Sequence, residues 1–344
     1  MSLHKEHKAS ALYLYGSNLG PSPYHIYQGK TVSANFVHYS KFSYMFKRYS
    51  LVLSEGFRPM LLGSLIKRGH LVRRHINIML GDFISSIGRN PIFKELVDSA
   101  IYKGVDGFIS NSTLSAEFFL RIFGDKYLHR IKVCWPTLTN GFQSSDSVTY
   151  SISNGKKLSI CSFLYLSYLD GADLLPEIFQ KVYEEVGPSI SMYVISSSLG
   201  DCWREFIEKA KKLSDKGFKV FLSSKPFPYS FIKNVFSKCK VFVYPARLKM
   251  FGIPVLEAMS QGLIPIVTNT TGARDFAKKV DPSLVVPLNT TLIAKRIIDV
   301  LSMKTEDLHN LSLKAKEISL NWSLYEAKKR YIRILNELLN HNTS

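Results

Sequence analysis

The sequence predicts an α/β fold made of two domains, each with a parallel sheet covered by helices. The clearest signal is the segment 241–267, where an apolar run indicates a buried strand and a Gly-containing loop follows it. Pro254 then stands where a helix begins, and a second apolar run follows Gly262, which ends that helix. Strand, loop, helix and strand in this order are typical of parallel sheets. The length of 344 residues is enough for two domains of ordinary size.

Composition bounds the class of protein. Hydrophobic residues make up 46% of the chain, as in globular proteins, and no uninterrupted apolar run reaches the ~18 residues of a membrane span. Residues 1–8 lack the apolar core of a signal peptide, so we expect a cytoplasmic protein. The four cysteines are scattered without a CxxC pair, which predicts neither a disulfide framework nor a zinc site.

The net charge of +18 is large and is spread over both halves of the chain. Proteins that bind nucleic acid more often concentrate such charge on one element, so we expect no nucleic-acid partner. Local basic clusters occur at 67–68, 73–75, 209–212 and 328–330. These clusters suit either a solvated face or peripheral contact with an anionic membrane.

The first domain begins with a predicted strand at 11–15 and a Gly-rich loop at 16–23. Gly16 and Gly20 in this loop let the backbone approach a ligand closely. The aromatic residues of 32–48 recur at helical spacing, which predicts one packed face.

Further predicted strands lie at 51–54 and 75–80, and strand ends are where α/β proteins bind ligands. Asp82 follows the second of these strands and is a candidate to contact an acceptor or a sugar hydroxyl, or to cap the next helix. His75 lies within the strand, where we expect a surface residue or a core residue with satisfied hydrogen bonds.

The polar stretch 139–157 is rich in Ser, Asn and Gly and predicts a linker. We therefore place the first domain at 1–145 and the second at 146–320. Residues 321–344 contain a Trp-headed amphipathic helix, which we expect to close the chain.

The segment 245–272 carries an ordered set of motifs: Phe251-Gly252, Leu256-Glu257-Ala258-Met259, Gly262, Pro265-Ile266-Val267 and Thr271-Gly272. It resembles the donor-site signature of retaining GT-B glycosyltransferases of family 4, the group 1 type. The resemblance implies two Rossmann-like domains facing across a cleft, with the closing helix crossing back to the first domain. It also implies transfer of a sugar from a nucleotide-sugar to a glycan, lipid or protein-linked acceptor with retention of configuration and without a metal ion.

The resemblance also implies roles for individual residues. Glu257, which we expect in the first turn of its helix, would accept hydrogen bonds from the ribose diol; the alternative is that it complements the helix dipole. Asp82 and Lys249 are the candidate catalytic residues. The candidate donor-binding residues are Gly16, Gly20, Lys225, Arg247, Phe251, Gly252, Ile253, Glu257, Thr271 and Gly272.

The sequence departs from the family pattern at three positions. Lys249 replaces the first of two glutamates, while Tyr165 and Asp170 replace the Arg and Lys expected to hold the donor pyrophosphate. At close range, the negative charge of Asp170 is expected to raise the energy of a bound diphosphate by about 1 kcal/mol or more. Either Lys249 or Arg247 compensates, or the chain is a non-catalytic GT-B module that binds nucleotide-sugar, glycan or a partner transferase.

The first domain also differs from the family pattern, in its length. Only a short stretch separates the predicted strands at 11–15 and 51–54, so we expect some strands of the family's first domain to be missing.

Overall fold

The computed structural model of the chain divides into two compact units. The first comprises Met1–Thr137 and Leu324–Ser344, and the second comprises Leu138–Ser323. Within them the structure describes residues 11–15, 17, 26–41, 47–79, 91–138, 140–142 and 158–340. The candidate residues Gly16, Gly20 and Asp82 lie outside the described residues, as does most of the predicted linker 139–157.

The first unit contains a six-stranded parallel sheet in the order β2-β1-β3-β4-β5-β6. The chain builds outward from β1 in one direction and then, from β3 onward, in the other. The strands are β1 (Ala11–Tyr15), β2 (Asn35–His38), β3 (Tyr49–Glu55), β4 (Val72–Met79), β5 (Gly107–Ser110) and β6 (Ile131–Val133).

The second unit contains another six-stranded parallel sheet, in the order β12-β11-β10-β7-β8-β9. Its central strands are short apolar runs that are buried throughout, as expected for a sheet with helices on both faces. The strands are β7 (Leu158–Phe163), β8 (Ile190–Ser196), β9 (Phe218–Leu222), β10 (Val241–Tyr244), β11 (Ile264–Thr268) and β12 (Val285–Val286). Both sheets are doubly wound, which confirms the predicted α/β fold class.

The helices alternate with the strands and cover the sheets. Two of them start at polar caps, Ser112 and Asn289; the Ser112 hydroxyl, for example, accepts a hydrogen bond from the Ser115 N–H at 3.0 Å. The helices are α1 (Ile26–Thr31), α2 (Phe57–Arg68), α3 (Pro91–Gly104), α4 (Thr113–Phe123), α5 (Leu175–Val186), α6 (Trp203–Lys211), α7 (Tyr229–Phe236), α8 (Ile253–Ser260), α9 (Arg274–Val280), α10 (Thr290–Leu301), α11 (Thr305–Leu320) and α12 (Leu324–Asn340).

Part of the segment 32–48, whose aromatic residues recur at helical spacing, is a strand and not a helix. Asn35–His38 is strand β2, which pairs in parallel with β1. Phe36 lies opposite Tyr13 in the register, and their ring centroids are 4.8 Å apart. Pairing with a buried neighbouring strand therefore overrides the local periodicity, and this strand lies within the stretch where we expected strands to be missing.

The closing helix α12 belongs to the first unit, as predicted. Its residues Tyr331, Leu335 and Leu338 are part of the buried core beneath the first sheet. Leu338 packs so close to Gly107 of β5 that a Cβ on this glycine would lie 2.9 Å from the leucine side chain. The last helix is thus a structural component of the first unit although its sequence follows the second.

His75 is a core residue with satisfied hydrogen bonds, which is one of the two expected outcomes. It is fully buried on β4, and its two ring nitrogens lie 2.7 Å from the Ser54 hydroxyl and 2.7 Å from the Gly104 carbonyl. Burial lowers the pKa of His75 to about 4, because the charged imidazolium would lose its hydration.

Candidate functional site

The candidate site lies at the carboxyl ends of β7, β10 and β11, which are neighbours in the second sheet. From β7 the chain first builds toward β9 and then returns to place β10 on the other side of β7, so the winding direction reverses between β7 and β10. In open α/β sheets ligands bind outside the carboxyl ends of the strands at such a reversal. The loops 164–171, 245–252 and 269–273 follow these three strands and contain most of the predicted site residues.

Backbone hydrogen bonds join the three loops. The Arg247 N–H donates to the Leu169 carbonyl at 2.9 Å, which links the loop after β10 to the loop after β7. On the other side, the Lys249 N–H donates to the Thr270 carbonyl at 3.1 Å, and the Gly272 N–H donates to the Lys249 carbonyl at 2.8 Å. The loop 245–252 is therefore held by main-chain hydrogen bonds on both of its sides, at Arg247 toward the loop after β7 and at Lys249 toward the loop after β11.

Gly171 permits the close approach of two of these loops. Its backbone is in the left-handed region with a φ of 74°, and a Cβ at this position would lie 2.0 Å from the Pro245 carbonyl oxygen. A side chain would collide with backbone that cannot move without displacing β10. Close packing against Pro245 therefore requires glycine at position 171.

Asp170 and Lys249 form an ion pair at the centre of the site. The Lys249 Nζ lies 3.0 Å from one carboxylate oxygen of Asp170, whose side chain is 5% exposed. The hydroxyls of Tyr244 and Ser167 each donate to this carboxylate at 2.7 Å. Lys249 also lies over the ring of Tyr165, 5.2 Å from its centroid. Asp170 is therefore a buried carboxylate with three polar partners.

Tyr244 is held in its protonated form. Burial, followed by the nearby charge of Asp170, raises the pKa of the Tyr244 phenol well above its usual range. The phenol therefore remains a hydrogen-bond donor to Asp170 at any pH near neutrality.

A second ion pair joins the same two loops. The guanidinium of Arg247 donates to both carboxylate oxygens of Asp173, at 2.6 and 2.7 Å, and to the Tyr168 carbonyl at 2.8 Å. The hydrogen bonds from Arg247 to Asp173 raise the pKa of the guanidinium further above its already high value. Both basic residues of the loop after β10 are thus paired with carboxylates. Lys249 pairs with Asp170 in the loop after β7, and Arg247 pairs with Asp173, which lies just after that loop.

The structure places Lys249, one of the two residues considered as compensation for Asp170, in contact with that carboxylate. Lys249 stands where the resemblance implies a glutamate, and Asp170 stands where it implies a lysine. Because the two side chains are in contact, the acid and the base have exchanged places and the pair still brings opposite charges together. The repulsion that Asp170 would exert on a diphosphate is therefore largely offset by Lys249.

The start of α8 offers backbone donors beside this pair. Gly252 has a φ of 118° and precedes Ile253, the first residue of the helix. Within the described part of the chain, the N–H groups of Gly252 and Ile253 have no hydrogen-bond acceptor. The preceding carbonyl, that of Phe251, accepts from the Thr271 hydroxyl at 2.8 Å and from the Ala273 N–H at 2.9 Å. The entry to the helix is therefore fixed while its first N–H groups remain available.

Glu257 lies in the second turn of α8, and the prediction that it falls in the first turn is wrong. The helix begins one residue earlier than expected, at Ile253. Glu257 is 4% exposed. Since the attraction of the helix dipole for a carboxylate is strongest in the first turn, this position weakens the alternative that Glu257 serves only the dipole.

The remaining predicted residues differ in what surrounds them. Thr271 and Gly272 both use their N–H groups in backbone hydrogen bonds, to Thr268 and Lys249. They therefore shape the loop rather than provide spare donors to an anion. Lys225 is exposed in the loop after β9, an edge strand separated from β7 by β8.

Two residues of the site were not predicted from the sequence. Asp173 was given no role from the sequence, yet it binds Arg247 with both oxygens. Tyr244 was noted only as the end of a buried strand, yet it donates to Asp170. A polar atom at the end of an otherwise apolar strand is the signal that could have indicated Tyr244.

Comparison with protein families gives a match for the second unit. Residues 154–318 match the model of the glycosyl transferases group 1. A comparison of the sequence with curated proteins gives no match.

Several solved structures share the fold over nearly the whole chain. HepE from Anabaena, in complex with UDP, aligns with a TM-score of 0.74 at 14% identity and covers 95% of this chain and 100% of its own. A glycosyltransferase from Rickettsia africae gives a TM-score of 0.70 at 12% identity, covering 98% and 100% of the two chains. A UDP-forming trehalose-phosphate synthase from Burkholderia xenovorans gives 0.69 at 10% identity, covering 92% and 79%.

At these identities the structural similarity establishes the fold, and the family match adds the type of the second unit. The two doubly wound sheets, the closing helix and the matched segment agree with each other. The chain therefore has the GT-B fold, and residues 154–318 of its second unit match the family of glycosyl transferases group 1.

Proposed function

We propose that the chain transfers a sugar from a nucleotide-sugar donor to a glycan, lipid or protein-linked acceptor, with retention of configuration. The observation that carries this proposal is the meeting of three loops at the carboxyl ends of β7, β10 and β11. They bring together two basic side chains, Lys249 and Arg247, beside the free N–H groups at the start of α8. A diphosphate is the kind of group that such donors bind.

Uridine diphosphate is the nucleotide that we propose to test first. HepE from Anabaena was solved with UDP, and a related structure of the same protein contains UDP and glucose. In our proposal Glu257 accepts hydrogen bonds from the ribose diol, and the N–H groups of Gly252 and Ile253 bind the phosphates. Lys225 and its loop would lie near the base.

The proposed chemistry requires stabilisation of a leaving diphosphate. The acceptor attacks from the side that the nucleotide leaves, and the departing phosphate takes the acceptor proton, so no protein nucleophile is involved. Lys249 and Arg247 then act by placing positive charge near the diphosphate as it departs. Asp82, Gly16 and Gly20 are proposed to face the acceptor or the transferred sugar. The proposed reaction uses no metal ion, and unchanged turnover after treatment with a chelator would support this part.

A second function is favoured by one specific observation. Both basic side chains already have carboxylate partners, Asp170 for Lys249 and Asp173 for Arg247. A diphosphate would have to compete with these partners. The alternative proposal is therefore a non-catalytic GT-B module that binds a nucleotide-sugar, a glycan or a partner transferase.

Calorimetric titration of nucleoside diphosphates into the purified chain, followed by a turnover assay with the matching nucleotide-sugars, separates the two. Release of free nucleotide that depends on an added sugar acceptor would establish the transferase. Nucleotide binding without release in any donor and acceptor combination would favour the binding module. If no nucleotide binds, the donor site proposed in the second unit is wrong.

The place of action is a further proposal. None of the described helices is long and apolar enough to cross a membrane. We propose that the protein acts in the cytoplasm and contacts anionic membrane through its basic surface. Sedimentation with anionic vesicles, compared with neutral vesicles, would test that contact.

A further inference from the structure

A second pocket lies in the first unit, at the amino ends of β3 and β4. Its volume is about 570 Å³, and its lining includes Tyr49 and Val72, the first residues of these two strands. Substrates of doubly wound sheets bind at the carboxyl ends of the strands. The pocket opens at the opposite edge of the first sheet, and it is therefore not part of a substrate site at the carboxyl ends.

The lining of this pocket is strongly basic. Five of its nine residues are Lys or Arg, namely Arg48, Lys67, Arg68, Arg73 and Lys103. No Asp or Glu lines it in the part of the chain that the structure describes.

Asp106 is a carboxylate that contacts one of these cations. It forms an ion pair with Lys67 and lies 3.6 Å from Arg74, and it also accepts a hydrogen bond from the His75 N–H at 2.7 Å. Of the pocket cations, Asp106 pairs with Lys67, and in the described part of the chain Arg68, Arg73 and Lys103 form no ion pair that would offset their charge.

Helix dipoles account for some of these cations but not for all. Lys67 and Arg68 lie in the last turn of α2, and Lys103 lies in the last turn of α3, where positive side chains complement the helix carbonyls. Each helix end carries roughly half a negative charge, so two ends together offset about one cation. Arg48 precedes β3 and Arg73 lies on β4, so neither is placed by a helix end.

We propose that this pocket binds the phosphate group of an anionic ligand, at a site separate from the one in the second unit. Three arginines contribute planar guanidinium groups, which match the oxygens of a phosphate in paired hydrogen bonds. The pocket is larger than a phosphate and falls within the range of about 300–1,000 Å³ that is usual for small-molecule sites. Leu71 and Val72 supply apolar surface, so the ligand carries a phosphate on a larger organic group.

The phosphate can come from a soluble compound or from a lipid headgroup, and two assays on the full chain distinguish these sources. Pyrophosphate is titrated by calorimetry, and binding to vesicles of phosphatidylcholine with and without phosphatidic acid is measured by sedimentation. The test variant is R68E/R73E, because both side chains are exposed and their replacement spares the core. The control is K211E/K238E, which makes the same change in net charge at exposed positions of the second unit.

The variant R68E/R73E is expected to weaken binding about ten-fold or more relative to the parent, as the loss of charge-assisted hydrogen bonds predicts, while the control changes it by less than two-fold. If R68E/R73E loses pyrophosphate binding, a soluble phosphate compound is sufficient to occupy the pocket. If R68E/R73E loses only its binding to vesicles that contain phosphatidic acid, the phosphate belongs to a lipid headgroup.

Three results would overturn the proposal. The first is that neither probe binds to the parent protein. The second is an equal loss in test and control variants, because this would reflect net charge alone. The third is pyrophosphate binding that persists in R68E/R73E and disappears in Lys249→Glu, because the phosphate would then occupy the second unit. Thermal unfolding of each variant checks that the fold is retained.

Discussion

Replacing Lys249 by Met tests whether its ion pair with Asp170 holds the site together. The Lys249 Nζ lies 3.0 Å from the carboxylate, and the side chain of Lys249 is 33% exposed against 5% for Asp170. At an effective dielectric constant of about 20, the Coulomb attraction at this distance is about 5 kcal/mol. Solvent reaches the lysine, so the loss should fall below the ~3–5 kcal/mol typical of breaking a fully buried pair. We expect Lys249→Met to lower the free energy of unfolding by about 2 kcal/mol.

A double-mutant cycle isolates the pair from other effects of the substitution. Asp170→Asn removes the charge and keeps one acceptor oxygen; the hydroxyls of Tyr244 and Ser167 donate to different oxygens of Asp170, so one of them must instead accept from the new amide. The single variants and the double variant are compared by urea unfolding, and the coupling energy should be about 2 kcal/mol. A coupling below about 0.5 kcal/mol would refute the argument, because the pair would then be screened like an ordinary surface contact.

Lys219→Met is a matched control for the lysine substitution. Lys219 lies over the ring of Tyr193 at 5.4 Å, as Lys249 lies over Tyr165 at 5.2 Å. Among the described residues, however, no ion pair involves Lys219. Its replacement should therefore cost about 0.5–1 kcal/mol at most, the value of an exposed cation–π contact.

Lys249→Glu goes further, because it places a second carboxylate beside Asp170. We expect a larger loss of stability than for Lys249→Met. If Lys249 also contacts the donor phosphates, affinity for a nucleoside diphosphate should fall and its dependence on salt should become weaker. Unchanged affinity for the diphosphate would mean that Lys249 serves structure alone.

Three other predictions concern separate parts of the chain. Glu257→Gln should weaken nucleotide binding roughly ten- to a hundred-fold, measured by calorimetry, with little change in melting temperature. The pKa of His75 is about 4 in the folded protein, below its usual 6.5, so the unfolded chain binds the proton first as the pH falls. The free energy of unfolding of the first unit should fall by about 3 kcal/mol between pH 6.5 and pH 4 and level off below pH 4. In His75→Gln this dependence on pH should disappear. Urea unfolding measures both. Gly171→Ala should cost about 2 kcal/mol or more by thermal unfolding and abolish nucleotide binding, because its Cβ would overlap the Pro245 carbonyl.

Much of the second unit could be predicted because its signals are local. The strands within 241–267 are short apolar runs between turn residues. Such a run predicts a strand buried on both faces without any information from distant parts of the chain. Pro254 at the start of α8 and Gly262 after its end also act on the adjacent backbone. The fold class follows from this alternation.

The contacts that organise the site could not be predicted in the same way. Lys249 and Asp170 are 79 positions apart, and they meet because β7 and β10 are neighbours in the sheet. Strand β2 was missed for a related reason. Its four residues have little pattern of their own, and pairing with β1 determines their conformation. Contacts that depend on strand order require the topology before the residues can be interpreted.

The paired exchange of Asp170 and Lys249 changes how the departures from the family pattern bear on function. Taken separately, each substitution removes an interaction with the donor. In the structure they depend on each other, because a buried Asp170 without Lys249 would lose its only charged partner among the described side chains that contact it.

A bound diphosphate could draw Lys249 toward itself without leaving Asp170 unsatisfied, because the hydroxyls of Tyr244 and Ser167 would still donate to the carboxylate. Lys249 would then exchange one anionic partner for another, and the cost of that exchange is smaller than the cost of burying an unpaired charge. An active donor site is thus compatible with this ion pair, at the expense of affinity for the nucleotide. Weak nucleotide binding that becomes tighter in Asp170→Asn, where Lys249 is released, is the result that this argument requires.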